Sequence, residues 1–314
     1  IMSGSHSMKL SNDSLIPVLG FGTWKLELTT AETAVKEAIR IGYRHIDCAL
    51  IYQNEEAIGR ALNDSMHITG SVSRTDLFIT SKLWNTYHSP QMVIEGCRKS
   101  LKDLQLDYLD LYLMHWPVAY QSGSELFPKD EKGSILYDDT PIEKTWKSME
   151  KLVSLGLTKA IGLSNFNENQ IRRILACAEI KPVMLQIESH IGFLNQKLID
   201  FAKSVGLGVT AYCPLGSPNS SSPHENLLTS TVVRQISQKH GKSPSQVLLR
   251  HGIQRNLCVI PKSSNLERIR ENFSVFDFEL DSEDMAALNT GTQQKRRVKP
   301  DLMVNHPDFP FKTD

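Results

Sequence analysis

The sequence predicts an α/β fold, a (β/α)8 barrel of the TIM type with an N-terminal β-hairpin and long loops at the C-terminal face of the barrel. Three observations carry that expectation. Short, β-rich apolar runs alternate with longer segments of helical period, there are eight such runs, and no composition shift or Gly/Ser linker divides the 314 residues. Repeated strand-then-helix units require a parallel sheet covered by helices, because parallel neighbours need a long crossover between them. Eight units favour a closed barrel over an open, doubly wound sheet.

Taken in order, residues 9–17 read as a hairpin turning at Asn12-Asp13 and placed to plug one end of the barrel. Strands are expected over residues 18–23, 45–47, 77–83, 109–115, 160–164, 184–188, 208–212 and 258–261. Between them the helical period marks residues 30–41, where Ala31, Val35, Ala38 and Ile39 share a face, and 90–104, which opens on a proline. Further helices are expected over 140–155, 167–178, 196–204, 229–240 and 243–253. Trp146, at a helical position, reads as core. Three long loops, residues 120–140, the Ser/Pro/Asn-rich 217–224 and the tail from 291 to 314, are expected near the functional face. Residues 1–7 are small and polar and read as an expression scar ahead of Met8, leaving 8–314 as one domain.

Composition narrows the function classes. With 40% hydrophobic and 22% charged residues the chain has material for an ordinary core. Lys plus Arg and Asp plus Glu both number 35, so no net positive field exists to hold nucleic acid or an anionic membrane. No apolar run approaches the ~18 residues of a membrane span. Five scattered cysteines without a Cys-x-x-Cys pair suggest neither a disulfide framework nor a zinc site, and a reducing cytoplasm fits them best. No metal is expected.

A parallel barrel carries its chemistry at the carboxyl ends of its strands, so the polar residues that close apolar runs are the candidates. The second strand ends at Asp47 with Tyr52 just beyond, the third at Lys82 and the fourth at His115-Trp116. Each alone has an ordinary structural reading: Asp47 as a helix cap or the partner of Arg44, Tyr52 as packing, Lys82 as a solvated strand end, His115 as a core histidine. Four at the ends of neighbouring strands suggest a site. An ammonium beside a tyrosine hydroxyl stabilises the phenolate and brings the ordinary pKa of ~10 closer to neutrality, so Tyr52 is expected to be a ready proton donor. Asp47 would keep Lys82 charged, and a neutral His115 would orient a substrate oxygen. Acid catalysis at a carbonyl follows.

Several longer segments bear on the same question. Gly42-Tyr43-Arg44-His45-Ile46-Asp47-Cys48-Ala49, followed by Tyr52, Glu55, Ile58 and Gly59, resembles a signature of the aldo-keto reductases. So do Gly162-Leu163-Ser164-Asn165-Phe166 and Ile260-Pro261-Lys262-Ser263 with Arg268, Glu271, Asn272 and Phe273 behind it. The likeness, which covers residues from about 15 to 288, implies an NADP(H)-dependent oxidoreductase. It would reduce aldehydes and ketones to alcohols with Tyr52 as general acid, Asp47 and Lys82 as its tuning partners, and His115 orienting the carbonyl. The resemblance also implies a cofactor site. Lys262, Ser263 and Arg268 would take the adenosine 2′-phosphate, Glu271 and Asn272 would face the adenine, and Ser164, Asn165 and Gln186 would hold the nicotinamide carboxamide. Tyr212 would stack on the nicotinamide, Leu215 and Ser217 begin the loop over the pyrophosphate, and Gly22, Thr23, Trp24, Asp47 and Ile260 lie close by. The Gly206-Leu207-Gly208 segment runs into a strand and is no dinucleotide fingerprint of the Rossmann kind.

Trp24, Trp84 and Trp116 follow three strand ends and, with Phe127, predict an aromatic pocket suited to apolar or aromatic carbonyl compounds. His88, His306 and the run Lys295-Arg296-Arg297 read as surface groups. The sequence departs from the family pattern at Cys213, where serine is common, at Ser189-His190-Ile191 in place of Cys-His-Pro, and along the tail, so specificity does not carry over. The expectation is a cytoplasmic monomer acting on a small molecule. Two rivals are a non-catalytic NADPH-binding barrel serving a channel or a structural role, and a metal-dependent hydrolase using Asp47 and His115. The first has no need of the intact Asp47, Tyr52, Lys82 and His115. The second lacks clustered ligands.

Overall fold

The computed structural model describes residues 6–218 and 225–312. Its main sheet has eight parallel strands in sequence order: β3 (Phe21–Gly22), β4 (His45–Asp47), β5 (Phe78–Leu83), β6 (Leu111–Met114), β7 (Ile161–Ser164), β8 (Met184–Glu188), β9 (Gly208–Tyr212) and β10 (Cys258–Val259). Hydrogen bonds from Val259 N to Val18 O (2.7 Å), Gly20 N to Val259 O (2.8 Å) and Gly22 N to Pro261 O (2.9 Å) join the first strand to the last. The sheet is therefore a closed barrel. The seam is tight: a Cβ on Gly22 would stand 2.6 Å from Ile260 O, so only glycine lets the two backbones meet.

Helices α1 (Leu28–Ile41), α2 (Glu55–Asn63), α3 (Met92–Leu104), α4 (Ile142–Ser154), α5 (Glu168–Cys177) and α6 (Gln196–Ser204) follow the strands from β3 to β8 one by one. After β9 come α7 (Thr231–His240) and α8 (Pro244–Gln254), and β10 is followed by α9 (Leu266–Phe273) and α10 (Ser282–Thr290). Capping boxes at Asn167 and Ser243 start α5 and α8 by satisfying backbone N–H groups of the first turn. Apolar faces of the helices close over the barrel, and Trp146 is fully buried with its indole N–H on Ile180 O.

The other end of the barrel is stoppered. Strands β1 (Ser7–Lys9) and β2 (Leu15–Pro17) form an antiparallel hairpin whose turn holds Asp13 at φ 65°. Leu10 and Ile16 are buried there among Phe78, Leu111, Leu113, Ala160, Val183, Met184 and Cys258, all but Leu113 at or just before the start of a barrel strand. Of the seven residues read as a scar, 1–5 lie outside the described residues; Ser7 pairs with Pro17, and the His6 ring stacks on Phe276 at 3.9 Å.

The expected element bounds need adjustment. The first strand shortens to two residues and the last to two, because near the seam single bridging hydrogen bonds replace a continuous ladder. Pro90 lies in a turn before α3 rather than inside its first turn. Helix α2, not among the expected helices, buries Glu55, Ala57, Ile58, Gly59, Ala61 and Leu62. Residues 219–224 of the expected long loop lie outside the described residues.

Three surface readings are corrected. His88 is fully buried behind Thr86, its carbonyl accepting from Thr145 Oγ1, and His306 is nearly so, packed edge-on against Tyr137. In the 295–297 run Lys295 is exposed as expected, but Arg296 stacks on Phe311 and Phe193, and Arg297 is bonded to Glu188, Gly216 and Glu225.

Candidate active site

A cavity of about 780 Å³ opens at the carboxyl ends of the strands. Asp47, at the end of β4, is buried; its Oδ2 accepts from Lys82 Nζ at 2.7 Å and its Oδ1 from Gln186 Nε2 at 2.7 Å. Lys82 points from β5 into the barrel, wholly buried, and also donates to Cys48 O (2.8 Å) and Tyr52 OH (3.3 Å). Tyr52 stands on a short 3-10 turn, Leu50–Tyr52, that ends with Gln53 in the left-handed region. His115 follows β6 and meets the Tyr52 ring edge-on at 5.9 Å between centroids.

An ammonium has three N–H bonds and no lone pair. All three of Lys82's are committed, to Asp47, Cys48 and Tyr52. The Tyr52 oxygen therefore accepts from Lys82, and its own proton is left for the cavity that the residue lines. The expected drop of the Tyr52 pKa is corrected: burial, followed by the Asp47 carboxylate, pushes it well above the ordinary tyrosine value. The phenol is thus a donor across the physiological range, and the apolar surroundings outweigh the neighbouring ammonium. Burial, with Lys82 and His88 adding to it, holds His115 well below the ordinary histidine value, so its ring is neutral; Nδ1 is buried without a partner.

Beside this group, Asn165 Nδ2 donates to His115 O (3.0 Å) and Ser164 Oγ (3.2 Å), while its Oδ1 accepts from Tyr212 OH at 2.7 Å. Asn165 holds φ 62°, which asparagine tolerates better than most residues. Thr23 Oγ1 donates to Asp47 O at 2.7 Å, tying the end of β3 to β4. Trp24, Trp84, Trp116 and Phe127 line one side of the cavity, and Trp84 Nε1 is fixed on Leu126 O (2.7 Å) of the loop after β6. Val298, Pro300 and Met303 of the tail complete that wall.

The opposite part of the cavity is polar and open. Lys262 and Arg268 are exposed, Ser263 is half-buried, and Cys213, Leu215 and Ser217 border the space leading to them. Lys25 belongs to the same wall, and neither it nor Lys262 nor Arg268 has a carboxylate ion-pair partner among the described residues. Partial burial and the nearby Lys25 lower the Lys262 pKa. Glu271 accepts from Ser243 Oγ at 2.5 Å, and Asn272 Oδ1 is buried without a partner. Unpaired cations and an orphaned buried acceptor fit a ligand carrying phosphates and a donor such as an adenine amino group.

Every residue singled out for this site lines the cavity except Lys82, which supports it from behind. Sequence reasoning missed Lys25, Ile51, Ser243, Val298, Pro300 and Met303. Lys25 had a signal, since it directly follows Trp24 just past a strand end; the tail was expected near this face, but nothing in the sequence marked which of its residues would reach the cavity. Among the described residues no three His, Cys, Asp or Glu side chains are grouped to hold a metal ion. No helix there is long and apolar enough to cross a membrane.

Comparison with known proteins adds three findings. The model of the aldo/keto reductase family matches residues 18–290. Aldo-keto reductase family 1 member A1 of Gallus gallus is 46% identical over 321 residues, covering 98% of this chain and 98% of its own; the Homo sapiens protein of that name is 47% identical over 308 residues, with 94% and 95% covered. The solved structure of the aldose reductase from Schistosoma japonicum superimposes with a TM-score of 0.93 at 50% identity, covering 98% of this chain and 99% of that one.

Proposed function

The chain belongs to the aldo/keto reductase family, nicotinamide-dependent oxidoreductases of small carbonyl compounds, and from that premise we propose that it is an NADPH-dependent reductase with Tyr52 as general acid. The observation that carries the reading is the direction of the hydrogen bond at Lys82, which leaves the Tyr52 proton free for the cavity. The reduced nicotinamide, when bound, supplies the hydride. The chain itself does the rest. Tyr52 donates its proton to the carbonyl oxygen; Lys82, ion-paired with Asp47, stabilises the phenolate left behind. The neutral His115 orients that oxygen, and the Trp84 and Trp116 walls exclude water.

Lys262, Ser263 and Arg268 are the residues we assign to the 2′-phosphate, with Lys25 toward the pyrophosphate and Leu215 and Ser217 along it. Glu271 and Asn272 are assigned to the adenine, Ser164, Asn165 and Gln186 to the carboxamide, and Tyr212 to the face of the nicotinamide. Backbone at Gly22, Thr23, Cys213 and Ile260 completes the channel. The substrate wall of Trp24, Trp84, Trp116, Phe127, Val298 and Met303 carries no charge, which favours neutral apolar or aromatic carbonyl compounds.

Replacing Tyr52 by Phe tests the assignment. NADPH should still quench tryptophan fluorescence, while aldehyde reduction falls by about 10²- to 10⁴-fold. Turnover of the variant at the wild-type rate removes Tyr52 from the mechanism. Quenching by the wild-type protein with no turnover of any aldehyde in a panel would favour a non-catalytic binder.

A further inference from the structure

Two consecutive residues beyond Tyr52 tie its turn to the neighbouring strands. Asn54 Nδ2 donates to Thr23 O (2.9 Å) and Leu26 O (3.1 Å) past the end of β3. Glu55, the first residue of α2, is buried, and its Oε1 accepts a 2.5 Å hydrogen bond from Ser81 Oγ. Ser81 immediately precedes Lys82 on β5. Neighbouring strand residues face opposite ways: Lys82 enters the barrel, and Ser81 faces outward toward Glu55 and Ser100. The result is a closed circuit: the backbone from Tyr52 to Glu55, the hydrogen bond to Ser81, one peptide to Lys82, and the hydrogen bond back to Tyr52. Within it, the 3.3 Å Lys82–Tyr52 contact is the longest that Lys82 makes and weakens most readily with a small drift of the turn.

We infer that Glu55 is a positioning residue for the general acid: by holding Ser81 it sets the separation between the Tyr52 hydroxyl and the Lys82 ammonium. The inference rests on the reading of Tyr52 as the acid. A buried carboxyl is a costly way to make a purely structural strap. Its second oxygen is buried without a partner, as is the hydroxyl of Tyr112, which pairs with Ser81 across the strands. Lys82, Asp103, Ser81 and Ser100 act on Glu55, and its charge in turn acts on Cys48, Cys97, Tyr112 and Tyr52. Burial holds the carboxyl up at about 7. Below that pH the group receiving the Ser81 proton is neutral, and glutamine is its isostere.

The test compares Glu55→Ala, Glu55→Gln and Ser81→Ala below pH 7 with an aromatic aldehyde and NADPH. Glu55→Ala is expected to lower kcat by about tenfold or more, with NADPH affinity by fluorescence quenching unchanged and the aldehyde KM within about twofold. Glu55→Gln, which keeps an acceptor for Ser81, should restore kcat to within about threefold of wild type. Ser81→Ala should repeat the loss seen in Glu55→Ala, and it decides the matter if Glu55→Ala fails to fold. A wild-type kcat in Ser81→Ala, or Glu55→Gln as impaired as Glu55→Ala, overturns the inference. Tyr52→Phe in the same assay separates the two readings. If it stays active, the acid assignment fails; if it is dead while Ser81→Ala is normal, only the positioning role fails.

Discussion

The inner and outer parts of the cavity follow opposite electrostatic plans. Inside, Asp47, Lys82 and Gln186 are buried around the Tyr52 hydroxyl and bonded to one another. Outside, Lys25, Lys262 and Arg268 are exposed cations with no carboxylate partner among the described residues. The contrast teaches which kind of charge each part is suited to meet. A charge that exists only during proton transfer is best stabilised by groups oriented beforehand and shielded from water. A permanent charge arriving from solution is held by exposed cations that lose little hydration on meeting it.

The largest effect should come from breaking the inner plan. Lys82→Met leaves the Asp47 carboxylate buried beside only Gln186 and should cost about 3–5 kcal/mol of stability as well as turnover. A thermal melt with an unchanged Tm would show that the pair is not balanced as described. The outer plan breaks differently. Lys262→Glu combined with Arg268→Glu should weaken NADPH by about 2–4 kcal/mol, leave NADH nearly unaffected and spare Tm. Equal losses for both cofactors would remove these residues from the 2′-phosphate. Wild-type affinity for NADPH should also fall with added salt more steeply than affinity for NADH, since exposed charges are screened.

Acid should sharpen the contrast by acting on buried groups. Burial holds His45 and His251 at about 4 and His88, with His306 assisting, at about 3. Their folded pKa values lie below the unfolded value near ~6.5, so between the two the unfolded chain binds more protons and stability falls as pH falls. Each of His45 and His251 should account for roughly 3 kcal/mol by pH 4. His88→Leu should flatten the fall of Tm below pH 6.5; an identical slope would mean His88 is already charged when folded. The smallest effect is expected from Arg297→Ala, which frees the tail from Gly216 and Glu225. It should raise the aldehyde KM and the NADPH Kd a few-fold each. A change in neither would show that the tail is held by its apolar contacts alone.

The barrel was legible because strand-helix alternation is a local signal, strong enough that residues 184–188, 196–204 and 208–212 have the expected bounds. The grouping of Asp47, Tyr52, Lys82 and His115 followed from topology, which sends polar strand ends to one face. Helix α2 was not singled out although Ala57, Ile58, Ala61 and Leu62 recur at helical spacing; a Cβ on Gly59 would lie 2.2 Å from Asp103 O, so the contact with α3 demands the glycine. His88 and Arg297 were misread because their burial depends on distant chain: Arg297 meets partners 72, 81 and 109 residues away. The upward shift of Tyr52 was equally out of reach, since it depends on how much apolar wall surrounds the ring.

The hairpin at the far end of the barrel has a consequence for traffic. With Leu10 and Ile16 packed across the strand beginnings, the barrel is a vessel stopped at its base. The cavity among the strand ends therefore meets solvent at the rim, away from the hairpin.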